Sequence, residues 1–255
     1  MFPHPMFDRL TPQRRTPMIR CTTAVLPALL IVDGISKRYG QRGVRDISFT
    51  ISTGTVLALV GPPRSGKTTI MRMVAGITRP DSGSITVDGR PFATVAAPAH
   101  TMGLFLSAAS IPEDLPALSY LQYVAQTQGI DLARCTAVLH QVGLTSREGR
   151  HQVQALPWAQ RHRLGIAAAL LARPRLLVLD DPIPGLVKAG TEWVTSLIHR
   201  LAEDGVGVLI SSRQEHVLRP VADHLIALDD GVIITQGPSG DYPGAPSSLS
   251  DRSWP

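Results

Sequence analysis

Lysine is nearly missing from this sequence: of its 25 basic residues only Lys37, Lys67 and Lys188 are lysine. Aromatics are also scarce, at 5%. The net charge is +5 and the isoelectric point about 9.7, but the arginines are scattered and no long block of one sign occurs. An extended basic surface for nucleic acid is therefore not expected. Two cysteines, Cys21 and Cys135, are too few and too isolated for a disulfide framework or a metal-ligand set, so a reducing cytosol is the default setting. No run reaches the roughly 18 apolar residues of a membrane-spanning helix. The longest, "AVLPALLIV", carries Pro27 and leads straight into "DGISKRYG". Arginines precede it, as they would a signal peptide, but a first core strand is the better reading. There is no internal repeat.

What remains is a chain of 255 residues, 44% hydrophobic, with a mean hydropathy of +0.09. That suits one α/β domain with a well-buried core. Residues 1–27, rich in proline and arginine without period, are expected to be a disordered extension, with Met18 an alternative first residue. Residues 238–255 are expected to be a disordered tail. Between them "LLIVDGISKRYG", "VRDISFTIS" and "TVLALVG" read as strands. "KTTIMRMVAGIT" reads as a helix with Ile70, Val74 and Ile77 on one face. "GSITVDGR" is a strand ending in an Asp-Gly turn, and "TMGLFLS" another strand. A helical insert occupies about 108–165, with helices in "LSYLQYVAQTQG", "DLARCTAVLHQVG" and "AQRHRLGIAAALLA". Strand "RLLVLD", helix "EWVTSLIHRLAEDG", strand "VGVLISS", a short helix and strands "HLIALDDG" and "VIITQG" complete the pattern. Alternation of this kind predicts a mostly parallel sheet flanked by helices.

One of the three lysines sits in "GPPRSGKTT", Gly61 to Thr69. The segment matches G-x-x-x-x-G-K-[ST] through Gly61, Gly66, Lys67 and Thr68, between a hydrophobic strand and a helix. Glycines let the backbone curl so that N–H groups point inward at phosphate oxygens, and the helix N-terminus adds its positive dipole end. Pro62 and Pro63 lack N–H groups, which slightly weakens the cradle; Arg64 is counted with the binding loop, and the donors that matter most come at Ser65, Gly66, Lys67, Thr68 and Thr69. Lys67 is expected on the β and γ phosphates and the Thr68 hydroxyl on Mg²⁺. The strand "RLLVLDD" supplies Asp180 as the second metal-side oxygen.

With both motifs in place, the chain resembles the ATP-binding subunit of ABC transporters over about Leu29 to Gly237. The resemblance rests on the strand order before the loop, with Tyr39 of "SKRYG" where the family stacks an aromatic on adenine. It rests also on the helical insert between the nucleotide motifs, and on "ALPWAQRHRLGIAAALLARPRLLVLDDP", a signature helix running directly into its Walker B strand. The insert is most similar to bacterial drug- or antibiotic-export systems. The resemblance implies a P-loop NTPase core with an antiparallel β subdomain and an inserted α-helical subdomain. It also implies ATP and Mg²⁺ as cofactors, a second ATP-binding subunit as partner, a separate membrane subunit, and a peripheral place on the cytoplasmic membrane face.

The sequence departs from the family at five points. The signature Leu-Ser-Gly-Gly-Gln reads Leu156, Pro157, Trp158, Ala159, Gln160. The Walker B glutamate, the family's general base, is Asp181, one methylene shorter. The switch histidine is Arg213, which holds charge but cannot relay a proton. The Q-loop glutamine is Ser107, and the D-loop reads Gly185, Leu186, Val187 without its aspartate. These changes predict a chain that holds Mg-ATP and closes a dimer but hydrolyses slowly, with Lys67, Asp181 and Arg213 carrying what turnover there is. The alternative is an ABC-like pseudo-ATPase acting as a nucleotide-gated regulator.

Overall fold

The structure is a computed structural model that describes residues 28–182 and 188–243. The chain opens with a long hairpin, β1 (Ala28–Tyr39) and β2 (Arg42–Ser52), then β3 (Val56–Val60) and α1 (Lys67–Val74). β4 (Ser82–Val87) and β5 (Arg90–Pro91) follow, joined by Asp88 and Gly89 at φ 51 and 71, the paired positive values of a type I′ turn. Next come α2 (Pro98–Thr101) and β6 (Met102–Phe105), then the insert with α3 (Ala117–Thr127), α4 (Ala133–Gln141), α5 (Ser146–Gly149) and α6 (Trp158–Leu170). The last part is β7 (Leu176–Leu179), α7 (Lys188–Glu203), β8 (Gly207–Ser212), α8 (Glu215–Leu218), β9 (His224–Asp229) and β10 (Val232–Pro238).

The strands form two sheets. The order β2-β1-β4-β5 is antiparallel, and β10-β9-β3-β8-β7-β6 is parallel apart from its β9–β10 hairpin. β3 is the apolar run "VLALV", buried at all five positions, because both its faces are covered. Alternation sends Val56, Ala58 and Val60 into a core shared with α3, α4, α6 and α7, and Leu57 and Leu59 into one shared with β1, β2 and α1.

Two helix expectations change. α1 ends at Val74 rather than running through Ile77, because Gly76 takes φ 70 and closes the end: Ile77 N–H donates to Arg72 O and Gly76 N–H to Met73 O. Ile77 is consequently exposed. The insert also holds the short α5, whose start is a reciprocal cap between Thr145 and Glu148, legible in "TSRE". At the C-terminal end the described chain passes the Gly237 boundary, while the rest of the expected tail and the expected extension 1–27 lie outside the described residues. Tyr242 is buried, and its carbonyl accepts from Arg219 Nη2 at 2.9 Å.

α6 lies unusually close to the sheet. A Cβ on Gly103 of β6 would sit 2.2 Å from the Ala169 carbonyl oxygen, and one on Gly165 would sit 2.4 Å from the buried Phe105 ring. These two missing side chains set the depth at which the signature helix rests. Gly103→Ala is expected to destabilise the protein by about 1–3 kcal/mol, read as a lower urea midpoint. An unchanged midpoint would mean the helix is free to lift.

Candidate nucleotide-binding site

β3, β8 and β7 are neighbours in the parallel sheet, so the segments leaving their C-terminal ends meet at one edge. The loop 61–66 leaves β3, Asp180 and Asp181 leave β7, and Arg213 leaves β8. Together with Tyr39, Arg42 and Gly43 of the first hairpin they line a cavity of about 410 Å³.

The loop is shaped by three left-handed residues, Gly61 at φ 151, Arg64 at φ 67 and Gly66 at φ 102. At Gly61 a side chain is excluded outright, since a Cβ would lie 2.2 Å from the Leu228 carbonyl oxygen. Gly66 then starts α1 with no side-chain cap and no acidic residue in the first turn. The first N–H groups of a helix have no partner within it. Here Lys67, Thr68 and Thr69, which carry them, line the cavity. A helix start left uncapped at a cavity suits the oxygens of a polyphosphate.

Lys67 is buried, and its Nζ donates to Gly61 O (2.8 Å), Pro62 O (2.8 Å) and Ser65 Oγ (3.0 Å). Burial pulls its pKa down to about 8, while Asp181 and then Asp180 push the other way. Asp180 is buried too, accepting from Ser211 Oγ at 2.6 Å, and the same hydroxyl accepts from Asp181 N–H at 2.9 Å. One serine thus holds both aspartates. Asp181 sits at φ 44. Burial raises the pKa of its carboxyl, opposed first by Arg213, whose Nε lies 3.4 Å from Asp181 Oδ2.

The donors suit Mg²⁺ as well. The Thr68 hydroxyl and the Asp180 carboxylate are hard oxygens at the cavity wall. Among the described residues no cluster of three or more His, Cys, Asp or Glu could hold a metal by itself. Mg²⁺ is commonly bound in that way, through one or two protein oxygens completed by phosphate and water.

Of the residues expected to touch nucleotide, Tyr39, Pro63, Arg64, Ser65, Gly66, Lys67, Thr68, Thr69, Asp180, Asp181 and Arg213 are brought together. Gly61 and Pro62 lie outside the lining and act through their carbonyls on Lys67. Sequence reading missed Arg42, Gly43 and Ser211. For Ser211 the signal was a polar pair, "SS", ending an otherwise apolar strand. Ser107 is exposed and turned into a local cap, accepting from Ala109 N–H at 3.1 Å, and does not reach the cavity. Gly185, Leu186 and Val187 lie outside the described residues.

The signature segment 156–160 does not line the cavity of its own chain. Pro157 precedes α6 at φ −53 and ψ 151, with no side-chain cap and no N–H. Trp158 is 47% exposed and packs edge-on against the His162 ring at 4.6 Å. Gln160 is turned back to donate to Glu148.

The depressed Lys67 pKa has a consequence for the nucleotide-free protein. Unfolded, the side chain keeps its proton up to the ordinary lysine value of 10.5; folded, it loses it near 8. Across that window the unfolded chain binds more protons, so stability contributed at this site rises with pH. Urea midpoints for wild type and Lys67→Met should therefore separate in favour of wild type between pH 7.5 and pH 10. A difference that stays flat with pH would contradict the burial.

Known proteins resemble this chain in sequence and in fold. The family model for the ABC transporter matches residues 44–184. The zinc import ATP-binding protein ZnuC of Pseudomonas fluorescens (strain Pf0-1) is 32% identical over 219 residues, covering 84% of this chain and 80% of that protein. The daunorubicin resistance ATP-binding protein DrrA3 of Streptomyces coeruleorubidus is 30% identical over 214 residues, covering 82% and 67%. Among solved structures, the ATP-binding cassette MJ0796, in a dimeric post-hydrolysis state with ADP and phosphate, superposes with a TM-score of 0.74. Its identity is 20%, and the match covers 82% of this chain and 98% of that one. The chain belongs to the ABC transporter family, as an ATP-binding subunit.

Proposed function

We propose that this subunit holds Mg-ATP at the interface of a dimer, gates or powers export through a separate membrane subunit, and hydrolyses its nucleotide slowly. The observation that carries the reading is the Arg213–Asp181 pair. The carboxylate placed to activate water is a short aspartate, and a permanently charged guanidinium stands 3.4 Å from it. A general base must take up a proton during the reaction, and an adjacent fixed positive charge opposes that. Asp181 is also one methylene shorter than the family's glutamate. A displacement of about 1 Å can cost on the order of 100-fold in rate.

Each remaining part has a defined task. Tyr39, at the mouth of the cavity and 51% exposed, offers an aromatic face to the base. Lys67 and the first-turn N–H groups of α1 take the phosphates. Thr68 and Asp180 would hold Mg²⁺, which neutralises phosphate charge when bound. The site needs a second subunit because no signature residue reaches it within the chain. In the paired subunit's site this chain contributes Pro157 and Trp158, which offer neither hydroxyl nor close backbone. A complete ATPase partner would therefore be compromised at one of its two sites. The relative named for daunorubicin resistance fits the export reading, whereas another relative is named for zinc import. The membrane subunit decides between them.

Calorimetry with Mg-ATP and phosphate release in the same buffer test the proposal. Binding is expected, weakened at least about 10-fold in Lys67→Ala, since a charge-assisted contact to phosphate is lost. Phosphate release should be near background in wild type and rise in Asp181→Glu combined with Arg213→His. Robust wild-type turnover that disappears in Asp181→Asn would overturn the slow-hydrolysis reading, and absence of binding would overturn the nucleotide assignment itself. If the restored variant turns over only together with a membrane partner, this is a transport subunit. Turnover without coupling to transport would favour the nucleotide-gated regulator.

A further inference from the structure

A second cavity, of about 550 Å³, opens at the far end of α6 from the signature segment and shares no lining residue with the nucleotide cavity. Its walls come from both parts of the domain. α4 of the insert gives Arg134, the exit of α6 gives Leu170, Arg173 and Pro174, and the turn after α7 gives Asp204 and Val206.

The charges around this space do not balance. Arg175 also reaches it, but its guanidinium is already paired with Asp88. Arg134 has only long contacts, 3.4 Å from Nε to Leu171 O, 3.5 Å from Nη2 to Leu170 O and 3.4 Å from Nη2 to Gln141 Oε1. These are beyond the ordinary N–H···O range. Among the described residues the Arg173 side chain has no hydrogen bond or ion pair. Burial and the neighbouring Arg173 charge both lower the pKa of Arg134, in that order. Two guanidiniums without a carboxylate partner among the described residues therefore face one carboxylate, Asp204, across a floor that includes the buried Leu170 and Leu201. A concave, partly apolar space with a few convergent polar groups is the usual form of a small-molecule site. Guanidinium groups prefer planar anions that they can grip in two places.

We infer that this cavity binds a small organic monoanion, its carboxylate or sulfonate head taken by Arg134 and Arg173 and its apolar body laid against Leu170, Pro174, Leu201 and Val206. Asp204 disfavours a dianionic head. A ligand seated here touches α4 of the insert and the turn between α7 and β8 of the core at once, joining the two parts of the domain behind the signature helix. The inference does not depend on nucleotide binding, because the two cavities have no residue in common.

The test is a fluorescence titration with 8-anilinonaphthalene-1-sulfonate, a monoanion with an apolar body, run with and without saturating Mg-ATP. One saturable site is expected, unaffected by Mg-ATP and by Lys67→Ala. Its affinity should fall at least about 10-fold in Arg173→Glu, the scale of a charge-assisted contact. Arg173 is exposed and its side chain holds nothing in place, so the variant should melt like wild type. Arg134→Gln should weaken the dye similarly. Benzoate should displace it at lower concentration than phenyl phosphate, separating a single-charge head from a double one. Equal dye binding in wild type and Arg173→Glu, displacement of the dye by Mg-ATP, or no saturable binding would each overturn the inference.

Discussion

The hydrogen-bonded ladder β3–β8–β7 is the constraint on which the site depends. Pairing places Val60 against Ser212 and Leu179 against Ile210, so the segments that follow these strands emerge side by side. Ser211, within the middle strand, then accepts the Asp181 N–H and donates to the Asp180 carboxylate. A single hydroxyl fixes two acidic residues against the loop that carries Lys67. A shift of one residue in this register would turn Ser211 to the other face of the sheet and release both aspartates.

Much of this was legible in the sequence, and for identifiable reasons. The phosphate loop was legible because its glycines and lysine serve backbone geometry and charge that few other residues can supply. Asp180 was legible because it ends an unbroken apolar strand. The parallel sheet followed from alternation of strand and helix, and the insert from its change of texture. Less was readable where tertiary contact decides. The end of α1 at Val74 is set by the left-handed Gly76, a local signal that an apolar period reaching Ile77 concealed. Arg42 and Gly43 reach the cavity only because the β1–β2 hairpin folds back over the loop, which no local pattern encodes. Burial of Tyr242 depends on its joining the main core cluster, with Arg219 donating to its carbonyl, contacts that no local pattern encodes.

The departures from the family's motifs also differ in kind once placed in three dimensions. Asp181 and Arg213 remain inside the cavity and contact each other, so their replacement alters the chemistry of this chain's own site. Pro157 and Trp158 lie outside it, at the start of a helix seated deep against the sheet by Gly103 and Gly165, so in the proposed dimer their replacement would alter what the chain presents to a second subunit. Ser107 is a third case, spent on a local turn. On the proposed reading, one sequence keeps the parts that would hold a nucleotide and changes the parts that would cleave it, in its own site and in the one it would complete for a second subunit.

The most direct measurement is the fate of the bound nucleotide. Purified protein would be loaded with Mg-ATP, separated from free nucleotide, held for an hour, denatured, and its nucleotide identified by chromatography. The account predicts that ATP is recovered intact in near-stoichiometric amount. Recovery as ADP would contradict it, because the Asp181–Arg213 pair would then be competent to activate water.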